Sequence, residues 1–377
     1  MKGRVVFLVR NVAPNNFGGG EIYQLRLAEK LRKAGFEPFI LTNSKKLIEA
    51  ARTNDTKVLK PPYITRQNWS GVWNLGLPFY YFYQMRLRKW YKTVFKKYSP
   101  SVINIQSRDD YLAATQVAHR LGIKVLWTDH ADFVNWVLNN VNVRFKNNIG
   151  KKIMKYSRYV SKIIFVSEHI KKQTERMILP REIRNALVVP NGVDNLLEEY
   201  KDIMAKKDSF VYVGRVVEDK GIGELLMAFK VVKEERNSAT LAIYGKNDDM
   251  NDFRDEIVEG VKFCGATEEP LRAIAENDIF VLPSYKEGLS LSLLDAAMMG
   301  KKIIATSVGG NLEVVVNKKT GLLVPPKNVD ELARAMLWMI ENEAKANEMA
   351  KNARRLYKEK YDFEKIFKEQ MLPLYKE

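Results

Sequence analysis

Short apolar runs alternate with helically spaced segments along this chain, and glycines mark the changes of period. Val5–Val9 reads as a short buried strand, followed by a loop over 11–20 that ends in Gly18-Gly19-Gly20. Glu21–Ala34 has helical spacing, Gly35 supplies its C-cap, and Phe39–Thr42 is the next strand. The same helix, glycine, strand order recurs at Arg120-Leu121-Gly122 before Val125–Thr128. It returns at Met299-Gly300 before Lys302–Thr306. Ile163–Ser167, a helix from Glu168, and Leu187–Pro190 extend the first set. A second set starts at Phe210–Gly214 with a helix near Ile222–Lys233, then Leu241–Gly245, Val261–Gly265, Ile279–Pro283 and Leu322–Val324. Helices over about Val329–Glu341 and Lys345–Tyr361 close the chain. Repeated strand–helix alternation predicts α/β with parallel sheets, and 377 residues exceed one comfortable core. The expected division is 1–194, a polar linker over 195–208, a second domain over 209–355, and a tail over 356–377 that returns to the first domain.

The stretch Leu282–Gly310 carries the most chemistry. It predicts a strand end, a loop opening on Glu287-Gly288, a helix from about Ser290 capped by Gly300, and a strand closed by Gly309-Gly310. The first-turn amides at Gly288, Leu289, Ser290 and Leu291 favour a phosphate. Glu287 and Asp295 stand eight residues apart, and carboxylates serve hydroxyl donors rather than phosphates. A ligand with hydroxyls beside its phosphates, such as a nucleotide sugar, satisfies both. In Gly214-Arg215-Val216-Val217-Glu218-Asp219-Lys220-Gly221, two cations leave a strand end ahead of a helix, which suits a diphosphate. Surface charges in a solvated loop would look similar.

Glu287, seven residues, Asp295 and then Gly309-Gly310 resembles the E-x7-E signature of retaining GT-B glycosyltransferases of the group 1, or GT4, class. Gly214-Arg215 through Lys220-Gly221 is similar to that family's G-R-x-x-x-x-K-G motif, and Pro190-Asn191-Gly192-Val193-Asp194 to its interdomain segment. The resemblance implies two doubly wound Rossmann-like domains facing across a cleft. It implies that Arg215 and Lys220 neutralise the diphosphate leaving group, that Glu287 contacts the donor sugar, and that the second acidic position grips the ribose. That position holds Asp295 rather than Glu, about 1.5 Å shorter in reach. It also puts Gly18, Gly19 and Gly20 across the cleft from the phosphates, and matches His130 to a T-x-H position that contacts the sugar. The catalytic candidates are thus Glu287, His130, Arg215 and Lys220. A plain turn at the glycine loop and a packing role for His130 are the alternatives. Asp129 and Asp132 would raise the pKa of His130 if close. His119 and His169 fall on predicted helices as structural residues. Base contacts are expected around Gly245-Lys246 and Phe263–Gly265, a stretch that includes Cys264, without separating uridine from guanosine.

Charge changes this picture in one respect. The chain carries +17 overall, but residues 1–200 hold 34 basic against 15 acidic residues, a surplus of 19. Thr56–Arg108 has no acidic residue yet contains Lys57, Lys60, Arg66, Arg86, Arg88, Lys89, Lys92, Lys96 and Lys97 among Trp69, Trp73, Phe79 to Tyr83, Trp90 and Tyr91. Phe133–Ser167 is acid-free too, with Arg144, Lys146, Lys151, Lys152, Lys155, Arg158 and Lys162. Basic and aromatic residues without acids have the composition of a membrane-surface patch, the alternative being a solvated basic face over an aromatic core. The expected location is cytoplasmic, peripheral on the inner face of the cell membrane. One cysteine, expected in the core, rules out a disulfide framework within the chain, and no signal-peptide pattern opens the sequence. No cluster has metal-ligand spacing, so no metal cofactor is expected. The expected partners are a UDP- or GDP-linked sugar, a glycan or lipid-linked acceptor and an anionic membrane, with no nucleic acid. An epimerase or phosphorylase on the same fold, and a non-enzymatic polyanion binder, are the other classes.

Overall fold

A computed structural model describes residues 4–15, 17–62, 76–107, 110–130, 152–177, 185–246 and 258–376, with side chains in the 76–98 helix from 80 onward. Met1–Val189 together with Met371–Glu377 forms one unit, and Pro190–Gln370 the other. The expected linker over 195–208 therefore lies inside the second unit, where Leu197–Tyr200 is helical and Lys206 already begins a strand. The tail joins the first unit only from Met371, later than position 356.

In the first unit the strands are β1 (Arg4–Val9), β2 (Phe36–Leu41), β3 (Lys57–Leu59), β4 (Val102–Ile105), β5 (Lys124–Asp129), β6 (Lys162–Phe165) and β7 (Ala186–Val188). They pair in parallel in the order β3-β2-β1-β4-β5-β6-β7. The second unit contains β8 (Lys206–Val213), β9 (Thr240–Tyr244), β10 (Val261–Gly265), β11 (Asn277–Leu282), β12 (Lys302–Thr306) and β13 (Leu322–Val324). These are parallel as well, in the order β10-β9-β8-β11-β12-β13. Parallel strands are covered on both faces, which is why Val6–Val9 and Ile279–Val281 are apolar without alternation and fully buried.

Each sheet reverses its winding once, between β1 and β4 and between β8 and β11. The connections leave in opposite directions there, so a crevice opens at the carboxyl ends of the two strands. Arg10 and Gln106 follow β1 and β4 at the first such point. Gly214-Arg215 and Pro283–Glu287 follow β8 and β11 at the second.

Among the elements that did not show in the hydrophobic pattern are β3, β4 and the helices Lys45–Thr53, Gly76–Tyr98 and Pro270–Ala275. β4 has four residues, and Asn104 interrupts its apolar run. Asn104 is fully buried because both ends of its amide are satisfied. Its Nδ2 donates to the Tyr375 hydroxyl at 2.7 Å, and its Oδ1 accepts from Thr128 Oγ1 at 2.9 Å. The tail is pinned further by Arg4, whose guanidinium donates to the Lys376 carbonyl, and by the Tyr375 ring edge-on to Phe36. Tyr375→Ala should lower first-unit stability by about 3–5 kcal/mol, as for a large buried ring. Tyr375→Phe should cost about 1–3 kcal/mol by stranding the Asn104 donor. Urea unfolding checks the order, and a Phe variant as stable as the parent would show that the hydrogen bond contributes nothing.

Candidate functional site

In the second unit the loop after β8 is drawn tight by Tyr212, whose buried hydroxyl donates to the Arg215 carbonyl at 2.7 Å. A Cβ on Gly214 would fall 2.5 Å from that hydroxyl. Glu218–Lys220 forms a 3-10 turn, and Gly221 starts the helix Ile222–Glu235 in the left-handed region at φ +68. Any side chain at Gly221 would also collide with the Pro283 carbonyl, 2.2 Å from an ideal Cβ. Asp219 accepts the Tyr285 amide through its carbonyl, which joins this loop to the one after β11.

These constraints place Lys220 against Glu287. The ammonium donates to Glu287 Oε1 at 2.6 Å, with side chains 16% and 10% exposed. Ser284, fully buried at the end of β11, donates to the same oxygen at 2.8 Å. Both bonds fall on Oε1, so among the described residues Oε2 has no protein donor and can take a ligand hydroxyl. The ammonium keeps two further N–H donors. Arg215 is exposed and makes no ion pair among the described residues. Burial foremost, and then the Glu287 charge, pushes the Tyr212 phenol well above its usual range, so it stays a neutral donor.

The helix Leu291–Met299 starts as its sequence predicts. Ser290 accepts the Leu293 amide at 3.4 Å, and Gly300 ends the helix at φ +65. The glycine pair fits because Gly310 lies against the Gly288 carbonyl, 2.1 Å from where a Cβ would sit. Asn191 Nδ2 donates to the Leu289 carbonyl at 3.1 Å, so the Pro190-Asn191-Gly192 segment braces this loop. Asp295 is buried within the helix, close enough for its charge to act on Tyr200 and Tyr357. Gly245 and Lys246 follow β9. Cys264 lies in β10, half-exposed rather than in the core, because β10 is an edge strand. Burial and then the Cys264 thiol push the neighbouring Tyr244 up to about 12.

In the first unit the helix Gly19–Lys33 begins at Gly18, whose amide donates to Glu21 Oε2 at 2.8 Å. Glu21 Oε1 accepts Arg10 Nε at 2.6 Å, and Arg10 Nη1 donates to the Gln106 carbonyl at 3.0 Å. The guanidinium packs against Gly20, where a Cβ would come within 2.3 Å of it. This close approach explains the glycine at position 20, whereas a side chain at Gly18 would find room, its nearest neighbour being Glu21 Oε2 at 3.8 Å. His130 follows β5 with Nε2 at 3.1 Å from Gln106 Oε1 and Tyr23 edge-on to its ring. The expected upward shift of His130 is overturned: burial, helped by the Arg10 charge, lowers it to about 3. The buried Asp129 does not reverse this, and Asp132 lies outside the described residues. His119 and His169 lie on helices, as predicted.

The structure thus unites Lys220 and Glu287 directly, with Arg215, Gly214 and Gly288–Leu291 on adjoining loops of one sheet edge. Gly18–Gly20 and His130 belong to the other unit. Sequence reasoning missed Ser284, Tyr212, Arg10 and Gln106. Each stands within a residue or two of a strand's carboxyl end, and strand ends with polar residues were the available signal.

Residues 17–195 match the family described as Glycosyltransferase Family 4, and residues 197–356 match Glycosyl transferases group 1. An uncharacterized glycosyltransferase of Methanocaldococcus jannaschii is 27% identical over 61% of this chain and 62% of its own. The capsular polysaccharide biosynthesis glycosyltransferase CapM of Staphylococcus aureus is 28% identical over 55% of this chain and 59% of its own. The match therefore spans about three fifths of either relative's length. The crystal structure of Anabaena Alr3699/HepE in complex with UDP and glucose superposes with a TM-score of 0.78 at 16% identity, covering 98% of both chains. At that identity the likeness shows the fold, which is GT-B with two parallel α/β domains.

The His130 environment makes a pH prediction. Its folded pKa lies below the unfolded value near 6.5, so below that pH the unfolded chain takes up a proton that the folded chain refuses. This contribution is complete above about pH 6.5 and is lost as pH falls toward 3. His130→Gln should therefore lose less stability than the parent between pH 7 and pH 4 in parallel urea titrations. An equal loss would place His130 in open solvent.

Proposed function

Because the chain belongs to the glycosyltransferases of group 1 and family 4, we propose that it moves a sugar from a nucleoside-diphosphate donor to a hydroxyl acceptor with retention at the anomeric carbon. The observation that carries this reading is the Lys220–Glu287–Ser284 cluster at the switch point of the second sheet. Lys220 and the exposed Arg215 neutralise the diphosphate, helped by amides at the start of the Leu291–Met299 helix. Glu287 Oε2 accepts a hydroxyl of the donor sugar, and Asp295 takes the ribose. As the bond from the anomeric carbon to the diphosphate breaks, negative charge grows on the leaving oxygen beside these cations. The acceptor oxygen bonds to the same face, and its proton leaves with the diphosphate. Fixed cations do the work that a metal ion does elsewhere, so turnover is proposed to be metal-independent. Positioning and preorganised charge supply most of the rate.

Lys220→Ala and Glu287→Ala should each cut turnover at least about 100-fold while circular dichroism stays unchanged. Proton NMR of the product should show the anomeric configuration of the donor, and EDTA should leave the rate unaltered. Parental rates in either purified variant would remove the assignment, and an inverted product would remove retention.

We further propose that the acceptor is lipid-linked or part of a glycan, and that the first unit rests on the anionic inner face of the membrane. One face of the helix Gly76–Tyr98 supports this: Phe82 and Met85 are 51% and 54% exposed, and Arg86, Lys89, Lys92 and Lys96 continue along it. Apolar residues at one end and cations beyond suit a helix lying in the headgroup layer. No helix among the described residues is long and apolar enough to cross a membrane. Each cation near an anionic surface contributes about 1 kcal/mol. Vesicles containing phosphatidylglycerol should sediment the protein, and replacing Lys89, Lys92 and Lys96 by Gln should weaken this at least about 10-fold. Equal, negligible sedimentation with anionic and neutral vesicles would end the membrane reading.

A further inference from the structure

Arg10, Gln106 and His130 are the residues that immediately follow β1, β4 and β5, three neighbouring strands. They stand side by side at one sheet edge, at the winding reversal. Gln106 is the unusual member. It is 1% exposed, yet among the described residues its Nε2 has no hydrogen-bond partner. Its other amide atom faces His130 Nε2 at 3.1 Å. Exchanging the amide nitrogen and oxygen does not remove the problem. If the nitrogen faced a neutral imidazole acceptor, the oxygen would be the stranded atom.

The backbone of Gln106 is fixed twice, by its amide donating to the Val9 carbonyl at 2.8 Å and by Arg10 Nη1 on its own carbonyl. Arg10 is held in turn by Glu21, which also caps the glycine loop. A buried amide held this firmly, with one polar atom unspent, costs folding free energy that no described residue returns. A ligand group that is both donor and acceptor would satisfy it whichever way the amide is turned. A hydroxyl has that property, and an anion or an apolar group does not. His130, uncharged at neutral pH, offers the same hydroxyl a neutral neighbour.

We infer that Gln106 binds one hydroxyl of a sugar ring and sets which sugar the protein accepts. The inference rests on the glycosyl-transfer reading and adds to it a residue that reads the substrate. Sites built to hydrogen-bond a hydroxyl reject analogues without it far more strongly than apolar pockets reject size changes. The hydroxyl belongs to the donor sugar or to the sugar of the acceptor, and the experiment separates the two.

The probes are UDP-glucose, UDP-galactose, UDP-N-acetylglucosamine and GDP-mannose, with octyl glycosides of glucose, galactose and N-acetylglucosamine as acceptors. For the pair that turns over, every monodeoxy analogue is compared with its parent. The wild type should disfavour one analogue at least about 100-fold in kcat/KM, and Gln106→Met should reduce that ratio below about 10-fold while leaving the others unchanged. The melting temperature without ligand should fall by only about 2–4 °C, the cost of the one hydrogen bond that Gln106 makes to His130. Gln106→Asn, which withdraws the amide by one methylene, should give the same loss and serves if the Met variant does not fold. A donor analogue that also shows the effect in hydrolysis without acceptor assigns the hydroxyl to the donor, and an acceptor analogue assigns it to the acceptor. An active wild type whose variants discriminate as it does against every analogue overturns this inference alone. A wild type inactive with every nucleotide sugar overturns the transfer reading and this inference with it.

Discussion

A parallel sheet that reverses its winding leaves two adjacent strand ends without a helix packed over them, and both halves of this chain are built on that geometric fact. Strand interiors here are apolar and buried on both faces, so polar chemistry has nowhere to stand except beyond the last strand residue. At the second reversal the outcome is Lys220 against Glu287, with Ser284 on the same oxygen. At the first it is Arg10 against Glu21, with Gln106 and His130 beside them. In each case a cation and a carboxylate share a partly buried edge, and further hydrogen bonds spread the cost of burying them.

The two edges differ in charge and therefore in chemical use. Lys220 keeps spare donors and Arg215 is unpaired among the described residues, so the second edge carries cationic capacity suited to phosphate. Arg10 spends its guanidinium on Glu21 and the Gln106 carbonyl and fills the space a side chain at Gly20 would need. It thereby shapes the glycine loop, while burial, with its charge assisting, keeps His130 neutral. A neutral imidazole and an amide suit uncharged hydroxyls better than anions.

Backbone placement of these side chains depends on residues with no reactive group. Gly221 and Gly310 admit the close approach of neighbouring carbonyls that any Cβ would block. Tyr212 fixes the carbonyl of Arg215, and Asn191 braces Leu289. Removing any of these would loosen the loops that carry the charged groups.

Periodicity alone determined that the chain is parallel α/β with two cores, because apolar runs that do not alternate can be buried only between helices. Motif spacing also brought Gly214, Arg215, Lys220, Glu287 and the capped helix after it into one region, since each follows a strand end by a fixed number of residues. The division into units was read less well. The segment 195–208 is polar because it lies on the surface, and composition cannot tell a surface loop from a linker. β4 was missed because Asn104 looks out of place until Tyr375, distant in sequence, supplies its partner. The direction of the His130 shift, the role of Arg10 and the unspent amide of Gln106 arise from burial and from contacts between distant strands. Local sequence encodes which groups can ionise or donate. Only the folded arrangement decides which of them lose water, and which find a partner when they do.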